Sequence, residues 1–90
     1  MSVAKFPLGQ LVATPGALAN LSHQDITAAL ARHLQGDWGD LDPDDRSTND
    51  QALVDGSRLL SAYHSVNGTK FWIISEWDRS ITTVLLPEDY

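Results

Sequence analysis

The chain has 90 residues, 42% of them hydrophobic and 20% charged, with a formal net charge of −6 at pH 7; this is one globular domain's worth of sequence, not a disordered one. The lack of cysteine excludes disulfide scaffolds, zinc–thiolate sites, iron–sulfur clusters and thiol catalysis, and so short a chain has little room for a deep cofactor cavity, so no cofactor is expected. No apolar run is long enough to span a membrane, and MSVAKFPLGQLVATPG lacks the apolar stretch of a signal peptide, so a cytoplasmic protein is expected.

In chain order, alternation around Leu11 and Ala13 predicts a short first strand, Gln10–Ala13. Thr14-Pro15 is a helix-start signature, a hydroxyl cap followed by proline at the first helical position, and predicts a short helix over Pro15–Asn20. Ser22, with Asp25 three residues on, begins a second helix, although a capping box prefers Glu or Gln there. Ile26, Ala29, Leu30, His33 and Leu34 recur at helical spacing, and Gly36 terminates the segment, so the helix should cover Gln24–Gln35. Asp42-Pro43-Asp44-Asp45 opens a third helix over Pro43–Val54, stopping at Gly56. Its opening turns, DDRSTND, are polar, so only Ala52, Leu53 and Val54 are expected to reach a core.

The last third is rich in β-branched and aromatic residues. Strands are expected over Arg58–Ser65, Lys70–Trp77 and Ile81–Leu86. They are joined by a hairpin turn at Asn67-Gly68, both residues of which tolerate positive φ, and by a second turn at Asp78-Arg79-Ser80. The expected fold is α+β: a short N-terminal strand, two to three helices, then a three-stranded antiparallel β-meander, with the helices packed on one sheet face and the first strand added to the sheet's edge.

The charge is concentrated. Asp37, Asp40, Asp42, Asp44, Asp45, Asp50 and Asp55 fall in one stretch with a single base, Arg46, and together carry the net charge of the whole chain. Aspartate favours caps and turns, so one reading is a solvated loop and helix start. The other is an acidic face aimed at a basic protein partner. A sequence pI near 4.6 argues against direct nucleic-acid binding and against docking to anionic lipid.

The run from Asp37 to Asp45 lacks the alternating acids, sixth-position glycine and twelfth-position glutamate of a calcium hand, so no metal site is expected. Asp78, Ser80 and His64 supply triad residue types, but no nucleophile elbow or oxyanion loop accompanies them. His23 should be exposed in a first helical turn, and His33 should be a satisfied boundary residue. Trp38, between aspartates in a glycine-containing loop, either plugs that loop onto the sheet or anchors a partner.

The pattern Phe6-Pro7-Leu8-Gly9-Gln10, Ala13-Thr14-Pro15-Gly16-Ala17-Leu18, Arg32-His33 and Gly36-Asp37-Trp38-Gly39, continued by Arg58 to Tyr63, Trp72 to Glu76, Asp78-Arg79-Ser80 and Thr82 to Pro87, covers nearly the whole chain. It resembles a family of small uncharacterised proteins of bacterial plasmids and integrative elements, some of them labelled restriction-endonuclease subunit M. A methyltransferase needs a far larger cofactor-binding sheet than this chain can form. The resemblance implies mobile-element biology and assigns no catalytic or binding residue.

The expected function is a non-enzymatic protein-interaction module, an accessory or counter-defence protein whose acidic segment imitates nucleic-acid phosphates. Its partner-binding residues would be Asp37, Trp38, Asp40, Asp42, Asp44, Asp45 and Asp50. The alternative is a small enzyme or ligand-binding protein using Glu76, Asp78, Arg79 and His64.

Overall fold

The order of elements in the computed structural model, which describes residues 4–90, is β1 (Gln10–Ala13), α1 (Pro15–Asn20), α2 (His23–Leu34), α3 (Pro43–Asp55), β2 (Leu59–His64), β3 (Lys70–Ser75) and β4 (Ile81–Leu85), closed by a 3₁₀ turn, Pro87–Asp89. Each helix starts on the chemistry that its sequence supplies. Thr14 Oγ1 accepts from the Ala17 amide at 3.1 Å, Ser22 Oγ from the Asp25 amide at 3.0 Å, and Asp42 Oδ1 from the Asp45 amide at 2.9 Å. Asp25 completes a capping box with Ser22 and also accepts the Val66 amide at 3.1 Å, tying the start of α2 to the β2–β3 loop.

Among the described residues the sheet has four strands, in the order β1-β4-β3-β2. β2, β3 and β4 run antiparallel in sequence, and β1 pairs parallel to β4, Gln10 opposite Ile81 and Ala13 opposite Val84. The expected antiparallel meander is thus one part of a mixed four-stranded sheet, whose edge strand β1 runs parallel to its neighbour. β3 ends at Ser75, and Trp77 lies in the following loop, 68% exposed, instead of continuing the strand. The β2–β3 turn also differs from the expected one. Of Asn67 and Gly68, only Gly68 has positive φ, at 90°. The Gly68 amide donates to the Ser65 carbonyl at 2.9 Å, which gives a three-residue loop closing on a left-handed glycine.

The register places Leu59, Ser61, Tyr63, Phe71, Ile73, Ser75, Thr82 and Val84 on one face. α1 and α2 cover that face: Ala17, Leu21 and Ala29 are buried with Tyr63, Phe71, Ile73 and Val84, and Ile26 and Leu30 pack at the rim. Burying such a cluster is the main stabilising term of a small domain. A second cluster, Phe6, Trp38, Ala52 and Leu59, lies beneath the C-terminal end of α3. α3 itself runs beside the outer edge of β2, so the expectation of all helices on one face holds for α1 and α2 only. Of its apolar residues Ala52 is buried and Leu53 half-buried, whereas Val54 is 81% exposed; the residue that goes inward from the polar turns is Asn49.

Candidate functional site

The acidic segment holds aspartates that build structure and aspartates that face a cleft, and Asp42 does both. Asp37 follows the C-terminal end of α2 and accepts two hydrogen bonds from the Arg32 guanidinium, at 2.7 and 3.2 Å. That hydrogen bonding, outweighing partial burial, holds its carboxyl below the usual range. Trp38 is 4% exposed, stacks on Phe6 and donates its indole N–H to Asp50 at 2.9 Å. It is thus the plug and not a partner anchor. Asp50 holds the plug, Asp42 caps α3, and Asp55 accepts the Ser57 amide and hydroxyl at 2.9 and 2.6 Å.

Gly39 is where this loop meets the sheet. The Ala62 amide donates to the Trp38 carbonyl at 3.1 Å, and the Asp40 amide donates to the Ala62 carbonyl at 2.8 Å, a parallel bridge on the outer edge of β2. Gly39 has φ 74°, and a Cβ there would lie 1.9 Å from the Ala62 carbonyl oxygen, so no other residue fits. Arg46 donates to the carbonyls of Gly39 and Leu41, each at 2.9 Å, and fixes the loop to α3. One turn further, buried Asn49 donates to the Leu60 carbonyl at 2.5 Å and accepts the Leu60 amide at 3.2 Å. The outward backbone groups of both Leu60 and Ala62 are thereby satisfied.

Between the start of α3 and the other face of the sheet is an open cleft of about 580 Å³. Leu60, Ala62 and Trp72 form its floor, and Asp40, Asp42 and Asp45 one wall; Lys70 and Arg58 lie among its remaining lining. Arg58 is held in place by the Tyr90 hydroxyl at 2.9 Å and by Glu76 at 3.7 Å. Trp72 meets the edge of the Tyr90 ring at 5.7 Å between centroids. Asp40 pairs with His64 Nδ1 at 2.6 Å, and Asp44 and Asp45 are exposed on the first turn of α3. The cleft joins an aromatic floor to carboxylates, the chemistry that receives an organic cation. Of the expected partner-binding residues it gathers Asp40, Asp42 and Asp45, leaves Asp44 beside it, and does not include Asp37, Trp38 or Asp50.

The alternative constellation is not assembled. Glu76, Asp78 and Arg79 lie at the β3–β4 turn, whereas His64 is opposite Lys70 at the other end of β3. Six residues of strand separate the two ends, about 20 Å. Asp78 accepts the Ser80 hydroxyl and amide, at 2.7 and 3.1 Å, which lowers its carboxyl pKa. Arg79 is the one non-glycine residue with positive φ among the described residues, at 59°. Its guanidinium donates to the carbonyls of Ser57, Glu76 and Ala52, at 2.6, 2.9 and 3.1 Å, and so secures the end of α3.

The sequence reading missed a buried polar chain. His33 is fully buried, with Nδ1 at 2.5 Å from Ser61 Oγ and Nε2 at 2.9 Å from Ser75 Oγ. Ser75 Oγ is 2.7 Å from Thr82 Oγ1, which donates to the Leu8 carbonyl at 2.7 Å. A carbonyl can only accept, and a neutral imidazole carries a single N–H, so every hydroxyl direction follows. Thr82 spends its proton on Leu8 and accepts from Ser75; Ser75 therefore accepts from His33 Nε2–H, and Nδ1 accepts from Ser61. Burial, aided by the Arg79 charge, pushes the imidazole pKa down to about 4, so it is neutral at pH 7. The signal in the sequence was a histidine on the apolar stripe together with hydroxyls at inward strand positions.

Among the described residues no group of three or more histidine, aspartate or glutamate side chains is placed to hold a metal ion, and no helix is long and apolar enough to cross a membrane. No protein-family model, curated protein or solved structure matches the chain.

Proposed function

We propose that the chain is a non-enzymatic interaction module whose cleft seats a basic side chain of a protein partner. The observation that supports this is the set of Asp40, Asp42 and Asp45 on one wall above the Trp72 floor. The cationic head of an arginine or lysine would lie toward the start of α3, away from Lys70 and Arg58, and its alkyl stem would cover Leu60 and Ala62. The resemblance to proteins of plasmids and integrative elements supplies a setting: an accessory or counter-defence protein that meets the basic surface of a nucleic-acid-binding protein. Four of the seven aspartates have structural work, so recognition rests on a few carboxylates at one cleft and not on a broad imitation of phosphates.

The test is a titration with an acetylated, amidated Gly-Arg-Gly peptide, followed by amide and indole NMR shifts, with Gly-Glu-Gly as control. Shifts should concentrate at Trp72, Asp45 and Thr48, and binding should weaken with salt. Asp45→Asn should weaken binding several-fold, whereas Asp44→Asn, the same charge change outside the cleft, should have a smaller effect. Asp42 and Asp50 stay intact because they cap α3 and hold Trp38. Equal effects of the two variants, or shifts spread evenly over the acidic surface, would reject the cleft.

A further inference from the structure

From Phe6 to Gln24 the chain carries no Asp, Glu, Lys or Arg. This neutral run contains β1, which among the described residues is bonded on one side only, to β4. The Gln10 amide donates to Ser80 at 2.8 Å and the Thr14 amide to Val84 at 3.0 Å. In a parallel ladder the residues between them alternate, so Leu11 and Ala13 turn their N–H and C=O groups outward. Among the described residues nothing bonds to those groups. Leu11 and Val12 are 43% and 37% exposed, and Ile81, opposite Gln10, is 37% exposed. The strand has no charge, no internal proline and no bulge, the usual protections of an edge.

We infer that β1 is a self-association surface, through which a second copy of this chain pairs antiparallel about a two-fold axis at Val12. Val12 then faces Val12 of the second copy as a non-hydrogen-bonded pair, and Leu11 faces Ala13, each Leu11–Ala13 pair exchanging N–H···O bonds in both directions. A strand without charge offers nothing to a partner of opposite charge, but it is complementary to itself. The charge distribution favours this edge over the other. The acidic segment borders β2, at the far side of the sheet, so copies joined at β1 keep their acidic segments apart. So short a ladder buries less than a standard interface, and the dimer forms in a concentration-dependent way. It is independent of the cleft.

The chain has no cysteine, so Val12→Cys introduces a single thiol. Directly opposed non-hydrogen-bonded residues have Cα atoms about 4.5 Å apart, within disulfide range. Val12→Cys should form a linked dimer on mild oxidation about tenfold faster than Val66→Cys, whose site is more exposed at 98% but lies away from the edge. Val12→Lys sets like charges opposite each other, and should weaken the association seen by sedimentation about tenfold with an unchanged melting temperature. Equal cross-linking rates, association that Val12→Lys leaves untouched, or a wild-type chain monomeric at millimolar concentration would each overturn the inference. If Val12→Lys fails to fold, the cross-linking comparison and the wild-type sedimentation still decide.

Discussion

At the β2 edge, the Asn49 carboxamide takes the outward amide and carbonyl of Leu60, and the Trp38–Asp40 loop takes those of Ala62. At the β1 edge, the corresponding groups of Leu11 and Ala13 meet no partner among the described residues. The acidic segment lies along the closed edge, and the uncharged run holds the open one. The contrast shows what many of the aspartates are for. Closing an edge with a loop needs turns, a helix start and a held aromatic plug, and aspartate supplies all three through Asp37, Asp42 and Asp50. Net charge along a segment is therefore a weak guide to partners until the structurally engaged carboxylates have been set aside.

The largest expected effect comes from breaking the closed edge at its tightest point. Gly39→Ala should destabilise by about 3 kcal/mol or more in chemical denaturation, because the new methyl meets the Ala62 backbone and φ is unfavourable for an L-residue. Next is pH, which tests the polar chain reaching from β2 through β3 and β4 to Leu8. The folded pKa of His33, about 4, lies below its ordinary 6.5, so the unfolded chain binds more protons between those values. Stability should be fully present above pH 6.5 and fall by about 3 kcal/mol as pH drops toward 4. His33→Gln should flatten that slope. Asp25, Asp37 and Asp78, whose pKa values their hydrogen bonds depress, add losses at lower pH. Asn49→Ala should cost about 2 kcal/mol, since it strips both partners from Leu60. Leu11→Thr, at the open edge, should change monomer stability by less than about 0.5 kcal/mol.

Local chemistry made much of this fold legible. Thr14-Pro15, Ser22 with Asp25 and Asp42-Pro43 place the helix starts to within a residue, because a cap is decided by neighbours in sequence. The strand cores follow from alternation, and Gly36 and Gly56 are the left-handed ends that their positions suggest. The direction of β1 was not legible: whether Gln10–Ala13 runs parallel or antiparallel to β4 depends on the path of the chain between them, which no short pattern encodes. Nor was the edge bridge, since Trp38 to Asp40 carries no periodicity and meets Ala62 only in space. Asn49 looked like part of a polar helix face, yet its carboxamide acts as a short substitute for a strand. His33 looked like a boundary residue because Ser61, Ser75 and Thr82 align only once the strand register is known. Of the candidate site, the acidic wall was visible in composition. The Trp72 floor was not, because Trp72 and Asp45 come to line one cleft only once α3 is placed beside β2.

Amide hydrogen exchange on dilute, monomeric protein tests the contrast between the edges most directly, because it reads each outward N–H separately. The amides of Leu60 and Ala62 should exchange only on global unfolding, whereas those of Leu11 and Ala13 exchange orders of magnitude faster and become protected as concentration rises. Rapid exchange at Ala62, or equally strong protection at Leu11 in the monomer, would contradict the account.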